Sequence, residues 1–408
     1  MNGYATEFII VAAVFFQCGR LQPASASSCE SCHAETDPDL VERVRSSVHA
    51  QVGCHGCHGG NPNVQAESAM FDDTSFKGKP GRKDIPEFCG GCHSDVRRMN
   101  PFRLPTDQLA HYRTSKHGEQ LFGAGDENVA VCADCHGSHG IKRPKDPASS
   151  VHPTNVPATC GKCHADAATM SKYKLSAAHP ADYERSVHAH ALRVRKDLSA
   201  PTCATCHGNH GAVPPGVRQV SEVCGSCHIR EALAFSNSPH AGATAAGKMK
   251  ACISCHSNHA ILHPTEDLLR TACQDCHKPA DGKALQVRDE FRVGFGQLRR
   301  DISSVSDELQ KAAARGFDVG EAQVQMEEAK TALIALTPAQ HALNLADLSK
   351  VQRENSNRLD QIRQSIREKI MSEGIRRLMF VPIILFLLAL SISCAAKRAE
   401  VDQNHGRD

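Results

Sequence analysis

The chain has 408 residues, a formal net charge of +2, no tryptophan, four tyrosines and twenty cysteines. Its basic residues are scattered and no aromatic stacking platform accompanies them, which excludes a nucleic-acid-binding protein. Large aliphatic and aromatic side chains are too sparse across the cysteine-bearing stretch for an ordinary side-chain core, so something other than side chains has to form its apolar interior.

Residues 1–26 predict an export signal. The apolar run Phe8-Ile9-Ile10-Val11-Ala12-Ala13-Val14-Phe15-Phe16 is too short to span a membrane, and Ala24-Ser25-Ala26 offers a small-residue cleavage site. The segment departs from the usual pattern in one respect: its beginning has no Lys or Arg and contains Glu7. Cys18 as a lipid-anchor site is the rival, but bulky Phe16-Gln17 precedes it, and Cys18 is expected to leave with the signal.

Residues 27–280 then repeat one device nine times, two cysteines two residues apart followed at once by histidine. The cysteines are Cys29 and Cys32, Cys54 and Cys57, Cys89 and Cys92, Cys132 and Cys135, Cys160 and Cys163, Cys203 and Cys206, Cys224 and Cys227, Cys252 and Cys255, and Cys273 and Cys276. The histidines are His33, His58, His93, His136, His164, His207, His228, His256 and His277. C-x-x-C-H is the signature of c-type haem attachment. The two thiols add across the two vinyl groups on one edge of the porphyrin, and the next residue then lies under the iron as its proximal ligand. Zinc knuckles also use C-x-x-C pairs, but zinc does not require a histidine directly after the second cysteine, and here it follows every time. A disulfide framework is disfavoured, because such two-residue loops would staple nothing. Nine covalently attached haems are therefore expected to form the interior, wrapped by short helices and irregular loops. Because haem ligation of this kind is periplasmic in bacteria, export is expected as well.

A longer repeat underlies the motifs. The tetrads Ser47-Val48-His49-Ala50, Ser115-Lys116-His117-Gly118, Ser186-Val187-His188-Ala189 and Ser238-Pro239-His240-Ala241 precede the motifs ending at His58, His136, His207 and His256. Three of those motifs continue to a trailing histidine, His139, His210 or His259, whereas Gly59-Gly60-Asn61 stands in that place in the first unit. A second motif closes each unit, at His93, His164, His228 and His277. The arrangement is one lone motif followed by four paired units.

Thirteen non-proximal histidines in this segment face nine irons, while methionine is scarce, with only Met249 near a motif. The expected distal ligands are those recurring in register, His49, His117, His139, His188, His210, His240 and His259. His152, His179 and His263, each followed by proline, come next. His55, between two attachment cysteines, reads as a solvent-facing spacer.

The paired C-x-x-C-H motifs, the trailing Gly-x-His-Gly and the leading Ser-x-His resemble the multihaem c-type cytochromes with doubled C-x-x-C-H units, related to cytochrome c3. The resemblance covers roughly residues 29–277. It implies bis-histidine, low-potential haems that pass single electrons along a closely spaced row in anaerobic respiration.

After Lys278 cysteine disappears and helix formers dominate. Over residues 281–373 the seam Phe291, Phe295, Leu298, Ile302, Val305, Leu309 and Ala312 predicts a helix ended by Gly316. Asp318 with Glu321 predicts a capped second helix, with its seam at Ala322, Met326, Ala329, Leu333 and Leu336. Thr337-Pro338 with Gln340 predicts the start of a third, whose later seam is Leu359, Ile362, Ile366 and Ile370. These read as an antiparallel bundle or coiled-coil stalk, with dimerisation as a further use. His341 reads first as a solvent-exposed helix histidine; if the bundle folds back on the haem segment, it would instead ligate a haem near the end of the row.

Residues 374–396 predict one transmembrane helix, since 378–396 carry no charge. Arg376-Arg377 and Lys397-Arg398 bracket it evenly, so orientation follows from export: the haem domain in the periplasm, residues 397–408 in the cytoplasm. A single helix points to the inner membrane. The expected fold is mainly α with haem-wrapping loops. The expected function is an inner-membrane-anchored electron relay between a quinol-linked donor, such as a quinol-oxidising membrane subunit, and periplasmic or outer-membrane redox proteins. The alternative is a multihaem reductase of a small nitrogen or sulfur oxyanion, which would need an iron with an open position.

Overall fold

The computed structural model describes residues 27–71, 74–213, 220–280 and 282–405; the expected export signal and Cys18 lie outside them. Helices are the only regular structure among the described residues. The chain divides into two compact units, residues 1–162 with 208–213, and residues 163–207 with 214–408. The boundary falls inside the helix Val156–His164, which carries the fifth C-x-x-C-H motif.

In the first unit the motifs sit on helices of one to three turns, Gly53–His58, Ile85–His93 and Cys132–His136. Side-chain caps start the neighbouring helices: the Asp37 carboxylate accepts from the Leu40 N–H at 2.9 Å ahead of Pro38–Arg45, with proline at the first helical turn. Arg82 braces the loop before the fourth motif. Its guanidinium donates to the carbonyls of Glu127 and Val129, each at 2.7 Å, and to the Asp134 carboxylate at 2.7 Å. Burial pushes the Asp134 carboxyl upward, but Arg82 and the Val131 N–H together hold it below the ordinary range. Among the described residues, the buried hydrophobic side chains of this unit include Val41, Met99, Tyr112, Leu121 and Val131.

The second unit joins the later motifs to a three-helix bundle. The helices are Gly282–Ala314, Gly320–Ala339 and Leu345–His405. Every residue of the first expected seam is buried, as are Ala322, Met326, Ala329 and Leu336 of the second and Leu359, Ile362 and Ile366 of the third. Ile370 is exposed. Each fully buried Leu, Ile or Phe contributes about 1.5–3 kcal/mol. Gly316, at a φ of 85°, supplies the left-handed residue after the first helix.

Two helix starts differ from expectation. Val319 flanks the second helix with no side-chain cap, and Asp318 accepts from the Gly320 N–H at 3.2 Å instead. Thr337-Pro338 does not open the third helix; the second runs through it to Ala339, followed by a 3-10 turn Gln340–Ala342 and a left-handed Leu343. The reason is packing. Leu336 and Pro338 are buried, and a proline in the last turn forfeits only one backbone hydrogen bond. Thr337 turns inward, its hydroxyl donating to the Leu333 carbonyl at 3.1 Å. The third helix begins after Asn344, whose side chain accepts from the Ala346 N–H at 3.0 Å.

Leu345–His405 is long and apolar enough to cross a membrane, and the side chains from Leu378 to Ile392 stand outside the bundle core.

Candidate functional site

Each first motif of a paired unit ends in the same backbone turn. The residue after the histidine, Gly59, Gly137, Gly208 or Ser257, has a positive φ. At Gly59, Gly137 and Ser257 this φ combines with a ψ near 180°, a region open essentially to glycine alone. The turn releases the trailing segment from the motif helix, so that its histidine reaches another part of the chain.

The second and third tetrads are helix starts capped by their serines. The Ser115 hydroxyl accepts from the Gly118 N–H at 3.0 Å and Ser186 from the Ala189 N–H at 3.1 Å. Both serines are buried. In the second tetrad the fourth residue has to be glycine, since a Cβ at Gly118 would lie 2.0 Å from the Tyr112 carbonyl oxygen. A tyrosine three residues before each of these serines completes the element: the Tyr112 hydroxyl donates to Ala130 O and the Tyr183 hydroxyl to Pro201 O, each at 2.9 Å. Sequence reasoning passed over the tyrosines, although they recur at the same offset as the serines and motifs. Burial pushes the Tyr183 phenol up to about 12 and the Tyr112 phenol upward too.

These elements bring imidazoles together in two kinds of pair, the first inclined at 44–71° and the second at 9–28° between ring planes. In the first, a tetrad histidine meets the second proximal histidine of its own unit: His49 and His93 at 6.0 Å between ring centres, His188 and His228 at 6.3 Å, His240 and His277 at 6.0 Å. In the second, a trailing histidine meets the first proximal histidine of the preceding unit: His139 and His58 at 6.2 Å, His210 and His136 at 6.0 Å, His259 and His207 at 5.9 Å. A seventh pair joins His256 to His341 at 6.0 Å. Metal–imidazole bonds of about 2.0–2.1 Å on either side of one ion, with the ring radii added, put ring centres about 6 Å apart. All seven separations fit an iron between two imidazoles.

A backbone hydrogen bond accompanies the second kind of pair. The residue between serine and histidine in a tetrad donates its N–H to the carbonyl two residues after the next unit's trailing histidine: Val48 to Ile141 at 2.9 Å, Lys116 to Ala212 at 3.0 Å, Val187 to Ile261 at 2.8 Å. Each of these bonds ties a tetrad to the segment that follows a trailing histidine.

The electrostatics suit neutral ligands, which metal binding requires. Burial, then the facing ring, lowers the tendency of His49, His136, His188, His240 and His256 to protonate. His259 is lowered to about 4 by burial and by His179 and His207. The His58 ring contacts the Gly78 carbonyl through Nδ1 at 2.8 Å, which holds the ring and leaves Nε2 for the facing side.

Consecutive motifs are neighbours within each of the two compact units, both inside a paired repeat and from one repeat to the next. The Cys89 thiol lies close to that of Cys132, and the Cys224 thiol to that of Cys252. The Cys54 thiol is pushed up by burial and nearby Cys29, Cys57 by burial and Cys92, and Cys255 by burial and Cys273. Every described cysteine is free of disulfide bonding. Among the described residues no three His, Cys, Asp or Glu side chains converge on a common metal position; the imidazoles come in facing pairs.

The other expected ligands sit differently. His179 stacks on His259 at 4.1 Å, too close for an intervening iron, and both rings keep a buried Nδ1 with no protein partner. His152 is buried with Nδ1 2.8 Å from the Thr154 hydroxyl. His263 is exposed beside its own Pro264 carbonyl, and His55 is exposed. His33 is exposed, whereas His117 and His164 are partly buried. Comparison with known protein families, with curated proteins and with solved structures returned no match.

Proposed function

We propose that this protein is a nonahaem c-type cytochrome that relays single electrons, anchored in the bacterial inner membrane with its haem segment in the periplasm. The observation that carries the proposal is the set of seven facing imidazole pairs, each joining a C-x-x-C-H histidine to a histidine from elsewhere in the chain at 5.9–6.3 Å. The eighteen motif cysteines would hold the porphyrins through thioethers, and the motif histidines would bind beneath the irons. His49, His139, His188, His210, His240 and His259 would bind from the opposite side. Haem bound in this way supplies one-electron oxidation and reduction.

The residues favour transfer over bond chemistry. Two imidazoles facing one iron occupy both axial positions and leave no place for an oxyanion. Paired histidines hold potentials below those of histidine–methionine sites. Neighbouring thiols of consecutive motifs would keep successive cofactors close within each compact unit. The apolar part of Leu345–His405 supports membrane anchoring, and the attachment chemistry supports a periplasmic haem segment; its donor would be quinol-linked.

The test is expression with a bacterial c-haem maturation apparatus, followed by measurement of covalent haem per polypeptide, EPR spectra and reduction by a menaquinol analogue in native membranes. Nine haems with overlapping low-spin signals and little response to carbon monoxide are expected. A high-spin haem that binds nitrite and turns it over would favour a reductase; absence of covalent haem would overturn the proposal.

A further inference from the structure

We propose that His341, from the helical bundle, is the distal ligand of the haem carried by Cys252, Cys255 and His256. This rests on the cytochrome reading and extends it to a residue outside the motif-bearing segment. Three independent observations support it.

The first is register. In the first three paired units the opposite face of the first proximal histidine is taken by the trailing histidine of the following unit. The fourth paired unit is the last, so no trailing histidine remains for His256. The His341 ring stands there instead, at 6.0 Å and 30°, within the range of the other pairs.

The second is backbone chemistry. The first three tetrads use the N–H between serine and histidine to bind the next unit. The fourth has Pro239 at that position, which has no N–H to give. The last tetrad thus lacks the group that would seat another unit, in keeping with the bundle covering this end.

The third is how His341 is held. Its Nδ1 lies 2.9 Å from the Pro338 carbonyl, the kind of hydrogen bond that orients a metal-binding imidazole and leaves Nε2 free. The 3-10 turn Gln340–Ala342 that carries it packs against the helix Ile229–Ser236, which follows the seventh motif. Arg230 on that helix donates to the Ala335 carbonyl at 3.3 Å. The turn is fixed to the motif-bearing part of the second unit from both ends of this contact.

The experiment uses the full-length, haem-loaded protein in detergent and compares wild type with His341→Ala, His341→Met and the exposed-histidine control His263→Ala. His341→Ala is expected to keep all nine haems attached while one in nine becomes high-spin and binds carbon monoxide, with added imidazole restoring the low-spin spectrum. His341→Met keeps a ligand on the iron, and is expected to stay low-spin while one haem titrates at a higher potential than in wild type. His263→Ala should match wild type. Unchanged spectra and potentials in both His341 variants, with nine haems present, would overturn the assignment while leaving the cytochrome reading intact. A wild-type protein without covalent haem would overturn both.

Discussion

The rings of His136 and His210 lie 6.0 Å apart and 9° from parallel, although the two residues belong to different paired units. Burial, His210 and His93 all disfavour protonation of His136, so the pair is set as two neutral donors. Replacing His210 by alanine should convert one of nine haems to a high-spin, carbon-monoxide-binding form without loss of covalent attachment, because Cys132, Cys135 and His136 remain. EPR and a carbon monoxide difference spectrum would read this. A fully low-spin variant would mean that His210 is not the ligand.

His179 and His259 should respond oppositely. His259 faces His207 at 5.9 Å, whereas His179 lies against the outer face of His259 at 4.1 Å. His259→Ala should open one coordination position. His179→Ala should leave the low-spin count unchanged and only shift the g-values of one signal, as expected for a positioning residue. The same high-spin yield from both variants would contradict this division of roles.

Ser257 occupies the turn that glycine fills after the other three first motifs, at φ 65° and ψ −178°. A non-glycine residue there costs about 1–3 kcal/mol. Ser257→Gly should stabilise the holoprotein by about 1 kcal/mol, seen as a higher midpoint in thermal or denaturant unfolding. A lower midpoint would show that the serine side chain makes a compensating contact.

Termination after Met371 should release a soluble protein with its bundle intact. The last core residue of the third helix is Ile366, while the exposed apolar run begins at Leu378. In the shortened protein Ile362→Ala should cost about 2–5 kcal/mol, because Ile362 is wholly buried. Retention of the truncated chain in carbonate-washed membranes would argue against the anchor.

What could be read from the sequence was local or periodic. Two cysteines and a histidine recur within five residues of one another, a spacing that can be read locally, and the seam from Phe291 to Ala312 follows the helical period. Which imidazole faces which depends on backbone contacts such as Lys116 to Ala212, nearly a hundred residues apart in the chain, and no local pattern announces them. Thr337-Pro338 misled because a cap and a proline signal a helix start only where packing lets the preceding helix stop; burial of Leu336 and Pro338 prevents that. His341 accordingly lies in a 3-10 turn between helices, not one turn inside a helix.

The length of the last helix has a consequence for electron entry. At about 1.5 Å per residue it runs about 50 Å from Leu345, just after the His341 turn, to Leu378, where the uncharged stretch begins. If the chain relays electrons as proposed and this helix stands along the membrane normal, that stand-off is far too great for a single tunnelling step, and a quinol dissolved in the bilayer would have no direct access to the His256 end of the row. A donor serving that end would then have to carry its own redox group out to this height above the lipid. Reduction of the His256 haem by a quinol analogue in vesicles holding this protein alone would contradict that separation.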